Sequence, residues 1–433
     1  MKTITLVITL LAAIVLFFWS TSSPSLSLQP DAGPIGGSRE LAVKLDAPRW
    51  GLKRLTVAAL QGGRRVELLT KNYPSGVKSV REPFTLAAAG LKDGLFTLQV
   101  EATGFALPHL RGRTAGKSLA FTYDATPPQV TVLSTAHNFI QGGAGLVIYT
   151  VSKEVERTGV MAGDRWYPGY RQGGNTYACL FPFPFDQEPQ RYVPKVLAVD
   201  RAGNERLAGI NYHLLANIFT TDDITLTDSF LEKIAADFKG RFPQAKTPLE
   251  IYLKVNGEQR DKDRKALADY GRKTSPVPLW QGNFLRMPNS APLGGFAQTR
   301  SYFYRGQKVD QQTHLGFDLA SVRLAPVPAA NRGTVVFAAD FGLYGLCVII
   351  DHGLGLQTLY GHLSRIGVKV GESVERGQII GNSGATGMAA GDHLHFGVVV
   401  SGQEVSPLEW WDASWVRNNV TGKLGLVKGP AAQ

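Results

Sequence analysis

The chain has 433 residues, enough for about three domains, and 44% of them are hydrophobic, which is ample for packed cores. Charged residues make up only 19%, and 48 Gly and 24 Pro are spread along the chain, as is typical of short strands joined by many turns. Disordered, collagen-like and coiled-coil proteins are therefore excluded. The net charge is +11, most of it before residue 276. The positive electrostatic field of such a chain favours binding to anionic surfaces. Because the sequence has no nucleic-acid-binding motif, we expect no nucleic-acid partner.

The first thirty residues predict export. No charge occurs between Lys2 and Asp31, and the segment from Ile4 to Trp19 is almost wholly apolar. The run ends in aromatic residues, which favours an uncleaved membrane anchor over a cleaved signal peptide, and cleavage near Ser22 is the alternative. Because Lys2 lies on the N-terminal side, the body of the protein is expected outside the cytoplasm in either case. We therefore predict a single-pass protein of the cell (inner) membrane with its catalytic domain on the periplasmic side.

Two regions with a β-sandwich pattern follow. From Arg39 to about Tyr123, short alternating apolar runs are bounded by Gly, Pro or Asp. The Pro pair at 127–128 cannot lie inside a strand ladder and predicts a boundary near Thr126, after which a second set of runs extends to about Leu215.

These two regions resemble bacterial immunoglobulin-like modules. The resemblance lies in the T-P-P entry at 126–128 and in a D-x-x-G-N turn formed by Asp200, Gly203 and Asn204. It implies two sandwich modules in series.

Residues 216–275 change in character. The segment SFLEKIAADF has apolar residues at helical spacing, and Ser229 to Glu232 fits a capping box. Two further short helices are expected at Pro248–Val255 and Asp261–Tyr270, the second ended by Gly271. The pattern predicts a short helical connector, after which a β pattern returns.

Cys179 and Cys347 are the two cysteines. Both lie in strand-like apolar runs of different predicted domains, and neither has a CxxC partner. We expect two buried free thiols.

Histidines cluster near the C-terminus. Five of the eight lie between residues 314 and 395, four of them in the motifs THLGFD, LYGHLS and DHLHFG. In HLHFGVVV, the two-residue period of a strand directs His393 and His395 to one face. In HLGFD, His314 and Asp318 lie on one side of an extended segment. Two His and one carboxylate are a zinc set that leaves the fourth position for water, and zinc lowers the pKa of that water to about 7.

The motifs resemble those of the lysostaphin/LytM-type zinc endopeptidases that cut peptidoglycan cross-bridges, whose pattern is H-x-x-x-D, a separate His, and H-x-H. The resemblance covers about residues 285–412 and includes the glycine framework VKVGESVERGQIIGNSGATG. It implies a β-rich fold of the duplicated hybrid motif type. It also implies that His314, Asp318 and His395 are zinc ligands, with His362 and His393 as the catalytic pair that does not bind the metal.

The remaining histidines and two tyrosines are predicted to lie outside the metal-binding set. His352 is predicted at a hairpin corner, and His109, His137 and His213 have no partner nearby in the sequence, which indicates structural or surface roles. Tyr302 and Tyr304 lie in a predicted hairpin before the first motif, where they could line a substrate groove or pack within the sheet.

Two alternatives share part of the pattern. VKVGESVERGQIIGNSG also resembles the hairpins of lipoyl and biotinyl carriers and of sugar-phosphotransfer proteins. However, no lysine lies at a matching hairpin tip, and an exported chain lacks a cytoplasmic phosphate donor. A non-enzymatic cell-wall-binding scaffold or amidase activator with the same fold is the second alternative.

The sequence thus predicts a mainly β, membrane-anchored zinc endopeptidase that hydrolyses peptide cross-links of peptidoglycan during cell-wall remodelling. Its partners are the stem-peptide cross-links and the membrane. The predicted parts are a membrane anchor or signal segment (1–30), two Ig-like sandwiches (31–124 and 125–215), a helical connector (216–275), a zinc metallopeptidase domain (276–415) and a C-terminal tail (416–433).

Overall fold

The computed structural model describes residues 23–47, 50–106, 112–135 and 137–427. Most of the predicted anchor, the last six residues of the predicted tail and His109 lie outside these ranges. Within them, no helix is both long enough and apolar enough to cross a bilayer. The chain divides into two compact units. The first comprises residues 1–129, 153–156 and 198–206, and the second comprises the rest.

The first unit is built from two sheets around one hydrophobic core. A three-stranded sheet has the order β1-β3-β6, and a five-stranded sheet has the order β2-β8-β7-β4-β5, in which only β2 and β8 pair in parallel. Buried residues of both sheets, such as Val43 and Val57, belong to the same cluster. The first strand lies within the segment predicted as an anchor, and its Leu28 joins this core. The strands are β1 (Ser25–Gln29), β2 (Pro34–Ile35), β3 (Leu41–Asp46), β4 (Leu52–Gln61), β5 (Arg64–Asn72), β6 (Ser79–Phe84), β7 (Gly94–Gly104) and β8 (Thr114–Tyr123).

The second β region contains ten strands. They form two four-stranded sheets, β14-β15-β11-β9 and β13-β12-β16-β17, and a parallel pair, β10-β18. The predicted D-x-x-G-N turn follows the strand that ends at Asp200, whose carboxylate accepts a hydrogen bond from the Asn204 backbone N–H at 2.9 Å. The strands are β9 (Val130–Val132), β10 (His137–Ile140), β11 (Ala144–Val151), β12 (Val155–Ala162), β13 (Arg165–Pro168), β14 (Tyr170–Gly173), β15 (Thr176–Pro182), β16 (Pro194–Asp200), β17 (Glu205–Gly209) and β18 (Tyr212–Leu215).

The segment predicted as a connector holds one strand and three helices. They are β19 (Thr221–Thr225), α1 (Asp228–Phe238), α2 (Pro248–Lys254) and α3 (Arg260–Tyr270), with a π-helix at Val255–Gln259 between the last two. Helix α1 begins one residue before the predicted capping box, because the Thr227 hydroxyl accepts a hydrogen bond from the Phe230 N–H. Gly271 caps α3, as the sequence predicted.

An eight-stranded antiparallel sheet forms the centre of the C-terminal part. Its order is β20-β23-β31-β27-β26-β25-β29, with β32 paired to β31, and two three-stranded sheets, β19-β21-β22 and β24-β30-β28, accompany it. The strands are β20 (Ala291–Gly294), β21 (Gln298–Tyr304), β22 (Gln307–His314), β23 (Phe317–Ala320), β24 (Pro326–Pro328), β25 (Gly333–Asp340), β26 (Leu346–Gly353), β27 (Leu356–Leu363), β28 (Arg365–Ile366), β29 (Ser373–Val374), β30 (Ile379–Asn382), β31 (Leu394–Val400) and β32 (Gln403–Val405).

Short helical turns complete the C-terminal part. The predicted tail is partly helical from residue 416 to residue 424. These elements are a 3₁₀ turn (Gly342–Tyr344), α4 (Pro407–Trp411), α5 (Ala413–Val416), a π-helix (Arg417–Thr421) and α6 (Gly422–Leu424).

The central sheet is covered on both faces. In β26, Val348 and Ile350 belong to one buried cluster, whereas Cys347 and Ile349 belong to another. Because alternate residues of a strand face opposite sides, both faces must be apolar, which explains the unbroken run LCVII in the sequence.

The two covering layers include segments that precede the sheet, and one of them also includes the helical turns that follow it. One cluster includes β11 and β15 residues such as Leu146 and Leu180, together with Trp280 and Trp410. The other contains the apolar faces of the three helices, including Ile234, packed against the sheet. The second β region and the helical segment therefore share cores with the central sheet.

The mainly β fold class is confirmed, and the helices form part of a sheet-covering layer. The Ig-like assignment of the N-terminal regions and the exact module boundaries stay predictions. Cys179 and Cys347 are both buried free thiols, and burial raises the pKa of the Cys179 thiol to about 12.

Candidate metal centre and groove

Three predicted residues converge where two neighbouring strands of the central sheet meet the end of β22. His314 is the last residue of β22, and Asp318 follows in β23. Asp318 lies directly opposite His395 of β31 in the antiparallel register, which brings their side chains together on one face. Gly316 lies between the first two residues, and a Cβ atom there would lie 2.3 Å from Nε2 of His395, so the site requires glycine at this position.

The donor atoms of these residues form a nearly equilateral triangle. Nε2 of His314 lies 3.0 Å from Oδ1 of Asp318 and 3.1 Å from Nδ1 of His395, and the latter nitrogen lies 3.0 Å from the same oxygen. Tetrahedral zinc, with bonds of about 2.0–2.2 Å, separates neighbouring ligands by about 3.3 Å. The triangle is therefore close in size to one face of a zinc coordination tetrahedron.

Hydrogen bonds around the triangle fix its orientation. Nδ1 of His314 donates to the Gly295 carbonyl at 2.8 Å, so that the Nε2 lone pair is directed toward the other two donors. Nη2 of Arg300 donates to Oδ2 of Asp318 at 2.9 Å, which leaves Oδ1 for the triangle. Such partners of metal ligands hold the ligand rings and carboxylates in place.

The electrostatic environment keeps two of these residues deprotonated at neutral pH. Burial alone raises the pKa of Asp318, but electrostatic interaction with His314 and hydrogen bonds from the neighbouring imidazoles outweigh burial and hold the pKa well below its usual range. Burial lowers the pKa of His395 to about 4. Metal ligands must be deprotonated, so both directions suit metal binding.

His362 and His393 lie beside the triangle as a second pair. Their ring centroids are 4.8 Å apart, and Nε2 of His393 lies 3.6 Å from Oδ1 of Asp318. Nδ1 of His362 donates to the Thr386 carbonyl at 2.9 Å, and Nδ1 of His393 donates to the Gly391 carbonyl at 2.9 Å. Because the backbone carbonyls bind Nδ1 of each ring, Nε2 of each ring is available to exchange a proton.

The His362 backbone is in the left-handed region, with φ of 61°. This conformation is costly for a residue with a side chain, and residues held in it are concentrated at functional sites. His362 is buried, and burial is the main cause that lowers the pKa of its imidazole well below the usual value. For His393, burial lowers the pKa, but the hydrogen bond and charge of Asp318 outweigh it and raise the pKa overall.

The loop from 384 to 391 carries both carbonyls that hold this pair, and Lys233 of α1 holds the loop. Nζ of Lys233 donates to the Ala385 carbonyl at 2.7 Å and to the Ala389 carbonyl at 2.8 Å. No sequence motif predicts this contact, because the two segments are about 150 residues apart.

We expect Lys233→Met to loosen this loop. The Met side chain retains the aliphatic stem but leaves the carbonyls without their charged donor, which should lower the free energy of unfolding by about 1–3 kcal/mol. Hydrogen–deuterium exchange of residues 384–391 should accelerate. Lys239→Met, at an exposed position at the end of the same helix, is the matched control. Equal exchange rates in the two variants would contradict the role of Lys233.

A groove of about 470 Å³ opens over the triangle. It is lined by all five predicted site residues and by residues of the helical segment and of β19, including Tyr252, Arg260 and Ile224. Tyr302 also lines it, whereas the Tyr304 hydroxyl donates to Asp228 at 2.7 Å. Of the two tyrosines considered from the sequence, Tyr302 is therefore the one in the groove.

The other described histidines lie away from the triangle. His352 is buried in the sheet, where its ring bonds to the Arg332 carbonyl and the Thr358 hydroxyl. His137 is buried between Ser134 and the Asn211 carbonyl, and His213 is exposed.

Comparisons with known proteins agree with this geometry. Residues 312–407 match the model of peptidase family M23. Over 95 residues the chain is 40% identical to the DD-carboxypeptidase/endopeptidase Mpg of Neisseria meningitidis, and over 96 residues it is 42% identical to the peptidoglycan DD-endopeptidase ShyA of Vibrio cholerae. Each match covers 22% of this chain and 22% of the relative. The similarity thus spans about a fifth of the length of these relatives.

Among solved structures, the catalytic domain of the antimicrobial peptidase lysostaphin from Staphylococcus simulans is 26% identical. This match covers 33% of the chain and 96% of that domain, with a TM-score of 0.22.

Proposed function

Since residues 312–407 form a domain of peptidase family M23, we propose that this chain is a zinc-dependent endopeptidase that hydrolyses peptide cross-links of bacterial peptidoglycan. The observation that carries the proposal is the triangle of His314, Asp318 and His395 donors with a second histidine pair beside it. The DD bond named for the two bacterial relatives is the first bond to test.

The residues present fit a zinc ion. Two imidazole nitrogens and one carboxylate oxygen, all within 4.8 Å of one another, face a common point, and a cation stabilises such a set of lone pairs. Because the three residues are buried, water solvates the Asp318 charge and the imidazole lone pairs poorly, so a bound cation would stabilise them. When bound there, zinc lowers the pKa of a water molecule and polarises the scissile carbonyl.

The chain's own residues then handle the proton. His362 and His393 present Nε2 toward the groove because each Nδ1 is engaged by a backbone carbonyl. One of the two rings accepts the proton of the attacking water as general base, and the other donates to the developing oxyanion or returns a proton to the leaving amine. Arg300 keeps the Asp318 carboxylate oriented during these steps.

We further propose that the protein acts at the cell (inner) membrane, with its catalytic domain on the periplasmic side. The support is the charge pattern of the N-terminus, where Lys2 precedes the apolar run from Ile4 to Trp19. Peptidoglycan lies on that side of the membrane, within reach of an exported catalytic domain.

Digestion of purified peptidoglycan tests the activity. We expect the zinc-loaded chain to release muropeptides whose masses show cleavage at a peptide cross-link, and a chelator to stop the release until zinc is restored. Binding to intact sacculi without any released muropeptide would overturn the proposal and favour a non-enzymatic wall-binding scaffold or amidase activator.

A further inference from the structure

Two arginines of the helical segment line the groove that contains the triangle. Arg260 is the first residue of α3, and Arg264 follows one turn later on the same helix face. Both side chains are partly buried. The positive wall of the groove is therefore supplied by a segment whose sequence indicated only a connector.

Neither guanidinium has a carboxylate partner within the described part of the chain. Arg260 donates from Nε to the Asn256 carbonyl at 3.0 Å and from Nη2 to the side-chain oxygen of the same residue. Arg264 makes one long contact, 3.4 Å from Nη2 to the Thr313 carbonyl. By contrast, Arg300, the third arginine of the groove, is paired with Asp318.

Most N–H groups of these two guanidinium groups thus have no hydrogen-bond acceptor among the described residues. A guanidinium has five N–H donors in a fixed fork that matches a carboxylate. The buried carboxyl of Glu404 is influenced by both charges, but it forms no ion pair with either, and burial raises its pKa. Partial burial of two charges without an anion costs free energy that an anionic ligand would offset.

The arginines are held next to the candidate metal site. Asn256, which holds Arg260, also donates to Oδ2 of Asp310 at 2.7 Å, and Asp310 and Thr313 both belong to β22, the strand that ends at His314. The π-helix at Val255–Gln259 directly precedes Arg260, and π-helical turns are frequent at functional sites. An anion bound here would lie in the same groove as the scissile bond.

We propose that Arg260 and Arg264 form a subsite that binds a carboxylate of the substrate peptide and positions that peptide over the metal centre. This inference rests on the proposed function, because it takes the ligand to be a peptidoglycan stem peptide. The carboxylate is either a side-chain group or the terminal α-carboxylate of that peptide. Arginine binds either one through paired charge-assisted hydrogen bonds.

Steady-state kinetics with synthetic cross-linked stem peptides tests the subsite. In the zinc-loaded full chain, Arg260→Gln combined with Arg264→Gln should lower kcat/KM by at least about tenfold, mainly through KM, since hydrogen bonds to charged groups contribute strongly to binding. Zinc content should not change. Lys262→Gln combined with Lys265→Gln removes the same charge from exposed positions of the same helix and should leave the kinetics unchanged.

Amidated substrates identify the carboxylate. In one test peptide the side-chain carboxylate is replaced by a carboxamide, and in the other the terminal α-carboxylate is replaced. With the unchanged chain, the peptide that lacks the bound carboxylate should show a kcat/KM about tenfold lower. On that peptide, the double arginine change should lower kcat/KM little further. The other carboxamide should behave like the unmodified peptide. Loss with the terminal carboxamide identifies the α-carboxylate, and loss with the other identifies the side chain.

A binding measurement separates this inference from the proposed function. Fluorescence anisotropy of a labelled stem peptide on the full chain carrying His393→Ala reports affinity without turnover. A Kd at least about tenfold higher after the double arginine change would support the subsite even if no chain cleaves peptidoglycan. Equal Kd values for the double arginine and double lysine changes would overturn the subsite even if cleavage is observed.

Discussion

We expect His314→Ala to abolish zinc binding at neutral pH. The change removes one of three donors from a triangle whose edges are 3.0–3.1 Å and leaves Asp318 and His395, too few protein ligands for a typical zinc site. Loss of a mere hydrogen-bond partner of a ligand already costs about 10- to 100-fold in metal affinity, so loss of a ligand should cost more. Metal analysis after dialysis against a weak chelator measures the effect.

An exposed histidine provides the control for this experiment. His213→Ala removes an imidazole that lies outside the groove and should retain one zinc per chain. Stoichiometric zinc of unchanged affinity in the His314→Ala chain would show that the ligand assignment is wrong.

We expect His393→Ala to lower the rate of peptide hydrolysis by about 10²- to 10⁴-fold, the usual contribution of general acid–base catalysis. The zinc content should persist, because Nε2 of His393 lies 3.6 Å from Oδ1 of Asp318 and the triangle is complete without it. The rate is measured on a defined cross-linked peptide, and zinc is measured in the same sample.

The companion change His362→Ala makes this test sharper. If both histidines act on the proton, each variant should retain zinc and lose most of the rate, and the double variant should lose little more than either alone. Loss of zinc in the His393→Ala chain would reverse the roles assigned to His393 and His395.

The site residues could be predicted because their signals are local. The H-x-H motif places two rings on one face by the two-residue period of an extended chain, and Leu394 and Phe396, between and after them, both belong to the same buried cluster. The structure brings all five predicted side chains to one groove.

The residues that support the site could not be predicted, because their contacts join distant segments. Lys233 and Arg264 lie on helices that the sequence indicated only as a connector, and their partners in the loop at 384–391 and in β22 are about 50 or more residues away. Arg300 lies in an ordinary strand with no motif around it. Their functional placement depends on tertiary packing, which a single sequence does not show.

The two covered faces of the central sheet limit how the peptidase part can be moved between proteins. A chimeric enzyme that joined residues 276–433 to a foreign wall-binding domain would lose the β11 residues of the cluster that contains Trp280 and the helices that cover Ile349 and Leu359. The exposed apolar surface would favour aggregation. It would also lose Lys233 and the arginine wall of the groove. A transplant that starts near residue 130 retains these layers, and its refolding yield should exceed that of the shorter one.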